Sequence, residues 1–315
     1  MILADTLATP SQHANWPALL IETVQITMTT RDSTSQAPVI TFTNAEAQKL
    51  SGEPIGFSFG ENWRKFLDRV DEQRLDDAER SLVASFQGNS LEGRSFIDAG
   101  CGSGVFSFAA QRMGVRSLLS VDIDPNSIEC ARILRERAGS PDNWSIRPGS
   151  LLDSEFVDGL GSFDIVYSWG VLHHTGQMWL AIERAMKLVN PNGLLCLALY
   201  RPPRRLDLHM RLKRTYNQSP RFARQLLAAS YFGAQVALGS AHRRVSPWSY
   251  VSDYGRRSRG MSLWRDVEDW LGGLPCEFTE APAVEEFALG HGFRVEHVTL
   301  RGPGGNNEYL LRRDS

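Results

Sequence analysis

The chain has 315 residues, of which 42% are hydrophobic and 22% are charged, and its formal net charge is −2 at pH 7. This length predicts one elaborated domain or two small ones, and the small net charge argues against attraction of the whole surface to nucleic acid or acidic membranes. Neither a signal peptide nor an apolar run of about 18 residues is found, which predicts a soluble cytoplasmic protein.

The first predicted elements precede the alternating strands and helices that begin at residue 95. Residues 1–56 begin with a polar, Thr-rich stretch, and we expect them to form an arm or a small hairpin. Between 61 and 86, apolar residues recur at helical spacing and predict one or two helices. The residues at this spacing are Leu75, Ala78, Leu82 and Phe86.

Apolar runs then alternate with helix-like segments. Five strands are predicted, in "SFIDAG" (95–100), "SLLSVDID" (117–124), "WSIRPGS" (144–150), "FDIVYSWG" (163–170) and "GLLCLALY" (193–200). The second intervening helix has Asp124 as its N-cap, Pro125 at its first position and Gly139 at its end. The segment "NPNG" is predicted to close the helix before the fifth strand. Strands that alternate with helices predict a parallel sheet.

The alternation stops after Tyr200. Residues 202–275 are rich in Arg and aromatic residues, and we expect a helical lid there. Residues 276–315 contain a helix and two strands joined by a short Gly-rich loop, which leaves no room for a crossover, so the last pair is antiparallel. The predicted fold is therefore α/β and Rossmann-like: a seven-stranded, mostly parallel sheet with a C-terminal antiparallel hairpin. The core comprises 57–201 and 276–315.

The segment "FIDAGCGSG" (96–104) places three glycines between a strand and a helix, where backbone can approach a ligand. Asp122 ends the next strand and can accept hydrogen bonds from ribose hydroxyls. A P-loop is excluded because no Lys follows Gly104. The third glycine comes one residue early for a dinucleotide loop, and Asp98 would repel a pyrophosphate but suits an ammonium or a sulfonium. The residues therefore favour S-adenosylmethionine over NAD.

Together with four later segments, "FIDAGCGSG" resembles the motifs of the class I S-adenosylmethionine-dependent methyltransferases, and the resemblance covers about residues 57–313. The later segments are "VDIDP" (121–125), "GSLLDSEF" (149–156), "FDIVYSWGVLHHT" (163–175) and "LVNPNGLLCLALY" (188–200). The segments "FSFGENWRKF", "RGMSLWRDVEDWLGG" and "GPGGNNEYLL" resemble a bacterial subset that modifies metabolites or peptides, as in natural product biosynthesis. Ser150 departs from the family, which usually has an acid there. The resemblance implies a cofactor-binding role for Trp63, Asp98, Gly100, Cys101, Gly102, Asp122, Ile123, Ser150, Leu151, Ser168 and Trp169.

Candidate catalytic residues follow the fourth and fifth strands. His173 and His174, of which we favour His174, have the side chain best suited to act as a base near neutral pH, and Tyr200 is the next candidate. A base is needed only if the acceptor arrives protonated. A structural role remains an alternative for each of the three.

The sequence says less about the residues that would bind the methyl acceptor. Residues 201–224 contain eight basic residues and one acid, Asp207, which is typical of a solvated helix face or of a site for a carboxylate or phosphate. Trp264 and Trp270 are either acceptor contacts or packing residues. The four cysteines and the histidines lack metal-ligand spacing, so we predict no metal, and no nucleic-acid-binding module is visible.

The resemblance implies transfer of a methyl group to a small molecule or peptide, with a hydroxyl or carboxylate oxygen favoured as acceptor. N- and C-methylation remain alternatives. Two hypotheses from other classes also remain, an NAD-dependent oxidoreductase and a non-catalytic methyltransferase-like binding protein. An acidic acceptor is expected under the second interpretation of the basic run, and neither nucleic acid nor a membrane is expected as a partner.

Overall fold

A mixed sheet forms the centre of the molecule, and its strands lie in the order β3-β2-β1-β4-β5-β7-β6. Strands β1 to β5 pair in parallel, whereas β7 is antiparallel to both β5 and β6. The predicted fold class, with its C-terminal antiparallel hairpin, is confirmed. The strand bounds are β1 Ser95–Ala99, β2 Ser117–Asp122, β3 Trp144–Pro148, β4 Phe163–Trp169, β5 Val189–Tyr200, β6 Phe293–Thr299 and β7 Asn306–Arg313.

This computed structural model describes residues 60, 63, 64, 67, 70–258 and 262–315. The arm or hairpin expected for residues 1–56 lies outside the described residues. The helices that flank the sheet are α1 Glu72–Ser85, α2 Val105–Arg112, α3 Pro125–Arg137, α4 Ser154–Asp158, α5 Met178–Lys187 and α11 Ala281–Gly290. The insertion after β5 forms α6 Leu206–Gln218, α7 Arg221–Arg243, α8 Pro247–Ser252, α9 Tyr254–Arg257 and α10 Leu263–Gly272.

The core has one layer on each face of the sheet. In β1, Phe96 faces a cluster that includes Leu82 of α1 and Phe108 of α2. Its neighbour Ile97 faces the opposite cluster, which includes Ala181 of α5. All five residues of β1 are buried. Because both faces are covered, the inner strands are mainly apolar and do not alternate regularly between apolar and polar residues.

Local sequence signals set most element ends. The Asp124 side chain accepts a hydrogen bond from the backbone N of Asn126 at 2.9 Å, Pro125 is the first residue of α3, and Gly139 follows the helix at φ +85°. The prediction that "NPNG" closes α5 is wrong, because α5 ends at Lys187 with Leu188 as its C-cap. These residues belong to the start of β5, where Val189 pairs with Phe163 and the register then shifts before Ile165 pairs with Leu194.

The insertion has its own small core, formed by Tyr216, Ala228, Tyr250, Leu263, Val267 and Leu271. Its base is closed by a 2.9 Å hydrogen bond from the backbone N of Thr279 to the carbonyl oxygen of Tyr200. Helix α9 also contacts α1, so the insertion reaches the helix that precedes the first strand of the sheet. Among the described residues, no helix is long and apolar enough to cross a membrane.

Candidate active site

A cavity of about 1150 Å³ lies at the carboxyl ends of β1, β2, β3 and β4. One half is lined by the loops that follow these strands, and the other by the insertion and the β6–β7 hairpin. Residues of α1, among them Asp77 and Arg80, also line the cavity. Pockets for a single drug-sized ligand are roughly 300–1,000 Å³. The volume is therefore larger than a pocket for one such ligand requires.

The glycine loop forms the floor of the first half. Gly100 has φ +87° and Gly104 has φ +78°, a backbone region that side-chain-bearing residues rarely adopt. A Cβ atom on Gly100 would lie 2.4 Å from the Val171 side chain, and one on Gly104 would lie 2.8 Å from the Cα of Ala131. The loop therefore requires glycine at both positions for its own packing.

Asp122 is held in a fixed orientation beside this loop. The backbone N of Gly102 donates to its Oδ2 and that of Asp124 donates to its Oδ1, each at 2.9 Å. Burial nevertheless raises the pKa of this carboxyl. Each carboxylate oxygen has two lone pairs, so both oxygens can also accept from a pair of ribose hydroxyls. Ile123, next to it in the cavity wall, is 72% exposed and offers an apolar surface.

Asp98 is fixed by a chain of buried polar groups that the sequence did not predict. The indole N of Trp144 donates to Ser120 Oγ at 2.9 Å, Ser120 donates to Ser107 Oγ at 2.7 Å, and Ser107 donates to Asp98 Oδ2 at 2.6 Å. Ser107 and Ser120 are fully buried. A serine on the buried face of an otherwise apolar helix was the available signal, and it identifies Ser107.

Ten of the eleven residues predicted to bind the cofactor line the cavity, and Ser168 does not. The Ser168 hydroxyl is buried and donates to the Ala99 carbonyl at 2.7 Å, which ties β4 to β1. Ser150 lines the cavity, and its Oγ accepts from the backbone N of Leu152 at 3.1 Å. Trp63 lies over the glycine loop. The backbone N of Gly60 donates to the Asp124 carboxylate at 3.0 Å.

The three candidate catalytic residues form one aromatic group. The His173 ring lies 4.0 Å from the Tyr200 ring and 4.4 Å from the His174 ring, measured between centroids. His174 and Tyr200 line the cavity, whereas His173 is fully buried behind them. His174 Nδ1 donates to the Pro275 carbonyl at 2.8 Å. The lone pair of the neutral ring is therefore on Nε2.

Burial makes these groups weak acids and bases. It lowers the pKa of His174 to about 3, and it also lowers the pKa of His173 well below its usual range. It also raises the pKa of Tyr200 far above its ordinary value, with smaller effects from Cys276, Asp269 and Asp266. At neutral pH both imidazoles are uncharged and the phenol keeps its proton.

The insertion lines the second half of the cavity with aromatic and acidic groups. The Tyr231 and Trp270 rings stack with centroids 4.7 Å apart. The Tyr254 hydroxyl donates to Asp266 Oδ2 at 2.7 Å, and Asp269 lies one turn further along α10. Of the two tryptophans singled out in the sequence, Trp270 lines the cavity, whereas Trp264 packs against Phe232 inside the insertion.

None of the eight basic residues between 201 and 224 lines the cavity. Lys213 is fully buried, and its ammonium donates to the carbonyl oxygens of Gly273, at 3.0 Å, and Trp270. Arg201 pairs with Glu280 at 3.1 Å. Within the part of the chain that the structure describes, no group of three His, Cys, Asp or Glu side chains is arranged to hold a metal ion.

The family model and the relatives that match this chain are all methyltransferases. Residues 90–249 match the model of a family described as a methyltransferase domain. A ubiquinone biosynthesis O-methyltransferase from Azorhizobium caulinodans is 33% identical over 105 residues, which are 33% of this chain and 40% of that protein. A ribosomal protein L11 methyltransferase from Salmonella arizonae is 44% identical over 59 residues, 19% of this chain and 20% of that protein. The aligned region thus covers two fifths or less of these relatives.

Solved structures with a similar arrangement have low sequence identity. The mitomycin 7-O-methyltransferase superposes with a TM-score of 0.47 at 16% identity, over 84% of this chain and 62% of that one. A magnesium protoporphyrin IX methyltransferase from Synechocystis superposes with a TM-score of 0.45 at 17% identity, over 77% and 83% of the two chains.

Proposed function

Because this chain belongs to the methyltransferase-domain family, we propose that it transfers a methyl group from S-adenosylmethionine to an oxygen atom of a small molecule or peptide bound beneath the insertion. Membership confirms the predicted family and enzyme class, with S-adenosylmethionine as the cofactor, and leaves no support for the NAD-dependent alternative. The acceptor and its oxygen atom are the parts that remain proposals.

The observation that carries the proposal is the continuity of the cavity. The glycine loop and Asp122 line one half, and the insertion lines the other. Trp169, His174 and Tyr200 lie where the two halves meet, at the ends of β4 and β5. Two ligands in these halves would meet at this junction, which is the arrangement that direct transfer between them requires.

The residues of the first half fit S-adenosylmethionine. The clamped Asp122 carboxylate would hold the ribose hydroxyls, and Asp98 would face the ammonium group. Ile123 and Leu151 would pack against the adenine, with Trp63 covering the loop. When bound, the cofactor supplies a methyl group on a positively charged sulfur, and the carboxylates of this half favour that charge.

The residues at the junction are better suited to positioning the acceptor than to removing its proton. An imidazole whose pKa is about 3 is a poor general base at neutral pH. Its Nε2 lone pair can still accept a hydrogen bond, and the Tyr200 hydroxyl can donate one. We therefore propose that His174 and Tyr200 orient the acceptor and exclude water, while His173 supports both rings from behind. This environment favours an acceptor oxygen that already reacts as an anion, such as a carboxylate or an ionised phenol.

The first experiment is titration calorimetry with S-adenosylhomocysteine, run in parallel with NAD. We expect micromolar binding of the former and none of the latter. Release of S-adenosylhomocysteine is then measured with phenols, carboxylates and amines as acceptors. Binding without turnover of any acceptor would favour the non-catalytic alternative, and failure to bind either nucleotide would contradict the proposal.

A further inference from the structure

We propose that the outer face of the insertion docks on the surface of a bilayer that contains anionic phospholipids. This face, which we call the outer patch, is formed by α7 and the start of α8. Its members are Arg221, Phe222, Leu226, Ala229, Gly233, Ala237, Arg243, Arg244 and Trp248, all of them exposed. The inference goes beyond the proposed function and does not depend on it.

The outward side of α7 is apolar. The inward side contributes Ala228 and Phe232 to the core of the insertion, and Tyr231 lines the cavity. The exposed members of α7 recur at intervals of three or four residues, so they lie along one stripe. They are Phe222, Leu226, Ala229, Gly233 and Ala237. The outward side of a surface helix usually carries charged residues, but α7 has no Asp, Glu, Lys or Arg between Arg224 and Arg243.

Large apolar side chains are exposed in this segment more than elsewhere. Seven of the twelve such side chains on the described residues lie between 208 and 251. They are Leu208, Phe222, Leu226, Leu238, Val245, Trp248 and Val251. Trp248 is 81% exposed and belongs to α8, which contacts α7. Exposed apolar patches of this kind mark sites of interaction with a protein or a membrane.

The charge of the same segment selects an anionic partner. Residues 204–252 contain nine basic residues and one acid, Asp207, which gives a formal charge of +8, whereas the whole chain has −2. The expectation that no membrane is bound rested on the charge of the whole chain, which averages over this segment and an acidic remainder. The basic run of 201–224, which does not line the cavity, here provides part of a site for phosphate groups.

The exposed arginines of the segment have no carboxylate to neutralise them. Within the part of the chain that the structure describes, six of them form no ion pair with Asp or Glu. They are Arg204, Arg205, Arg211, Arg221, Arg243 and Arg244. Exposed arginines on other elements are paired, as Arg132 is with Glu129 and Arg137 with Glu72. The guanidinium groups of the insertion are therefore available to an external anion.

These features together favour a bilayer over other partners. A second copy of the chain would place the same basic patch against itself, because a two-fold interface pairs identical surfaces. A nucleic acid would pair with the arginines but would leave Phe222 and Leu226 without an apolar partner. At an anionic bilayer, the arginines bind phosphate groups while the apolar side chains enter the boundary between headgroups and acyl chains. Trp248 has the side chain most typical of that boundary.

The test measures co-sedimentation of the full chain with two kinds of vesicle. One kind contains phosphatidylcholine alone, and the other contains about 30 mol% phosphatidylglycerol. We expect binding to the anionic vesicles to be at least about tenfold tighter at low salt, and to weaken strongly at about 0.5 M salt because of screening. The emission of Trp248, obtained as the difference between the unmodified protein and Trp248→Phe, should shift to shorter wavelength when anionic vesicles are added.

Two double variants separate the apolar contribution from the charged one. Phe222→Ser with Leu226→Ser should weaken binding to the anionic vesicles by at least about tenfold, because it removes the large apolar side chains of the stripe. Arg243→Gln with Arg244→Gln should weaken it by about tenfold or more and reduce its dependence on salt. All four positions are exposed and lie outside the cavity, so binding of S-adenosylhomocysteine should be unchanged in both variants.

Two matched controls lie outside the outer patch. Leu289→Ser changes a side chain of α11 that is 66% exposed, and Arg132→Gln changes an exposed arginine of α3. We expect both to bind anionic vesicles like the unmodified protein. Thermal unfolding of every variant confirms that it is folded.

Several results would overturn the inference. These are no binding to the anionic vesicles, equal binding to both kinds of vesicle, and binding that both patch variants retain. A dimer in light scattering that the patch variants dissociate, or binding of a labelled DNA duplex in place of vesicles, would assign the face to those partners and would overturn it too. Binding of S-adenosylhomocysteine needs no vesicles, so it tests the proposed function separately.

Discussion

Substitution of Asp122 by Asn tests the cofactor half of the cavity most directly. The carboxylate accepts from the backbone N of Gly102 with one oxygen and from that of Asp124 with the other. An amide would replace one oxygen with an NH₂ group that faces a donor. Hydrogen bonds to a charged acceptor contribute about 1.5–3 kcal/mol and those to a neutral one about 0.5–1.5 kcal/mol. The substitution weakens two hydrogen bonds to the ribose and adds a donor–donor contact. We expect it to reduce the binding free energy by about 2–3 kcal/mol, which is roughly 30- to 150-fold weaker binding.

The assay is titration calorimetry with S-adenosylhomocysteine. Asp153→Asn is the matched control, because Asp153 caps α4 through a 3.2 Å hydrogen bond from Phe156 N and does not line the cavity. We expect its affinity to equal that of the unmodified protein. If folded Asp122→Asn bound S-adenosylhomocysteine within threefold of the unmodified protein, the assignment of Asp122 to the ribose would be wrong.

Three further changes test the junction, a buried acid and the glycine loop. His174→Asn keeps a donor for the Pro275 carbonyl, so the methylation rate should show the same pH profile as the unmodified protein, without a limb near about pH 6.5. Burial raises the pKa of Glu277 from 4.5 to about 7, so its contribution to stability is complete below about pH 4.5 and is lost as the pH rises through about 7. Glu277→Gln should therefore gain free energy of unfolding relative to the unmodified protein across that range, by at most about 3 kcal/mol in urea titrations. Gly104→Ala should lower the free energy of unfolding by about 2–4 kcal/mol, because of its positive φ and the contact with Ala131.

Each of these expectations has a clear contrary result. A limb near about pH 6.5 that disappears in His174→Asn would restore the imidazole as a general base. Parallel pH dependence of stability in the Glu277→Gln variant and the unmodified protein would show that this carboxyl is not perturbed. A Gly104→Ala variant within about 0.5 kcal/mol of the unmodified protein would mean that the loop can move away from α3.

The order and type of the core elements could be predicted because their signals are local. Asp124 and Pro125 start α3 as expected, and the apolar runs become inner strands covered on both faces. The start of β5 could not be predicted, because "NPNG" has the composition of a turn. It lies at the register shift between Val189, which pairs with Phe163, and Leu194, which pairs with Ile165. Tertiary pairing overrides local preference there.

The sequence predicted some parts of the candidate site and missed others. Its glycines and Asp122 belong to one contiguous pattern, so the sequence could place them together. The chain from Trp144 through Ser120 to Ser107 joins three separate elements, and no spacing rule connects them. Lys213 illustrates the same limit, because it belongs to a run that is basic along the sequence but is itself buried beneath the cavity wall.

The hydrogen bond between Thr279 and Tyr200 means that the chain leaves the sheet and returns to it at almost the same point. A segment joined in this way can change in length or be exchanged at small entropic cost, since the cost of closing a loop grows only with the logarithm of its length. The strands that carry the glycine loop and Asp122 need not move when this happens. Grafting the insertion of a relative between these two residues should therefore change which compounds are methylated and leave the affinity for S-adenosylhomocysteine unaltered.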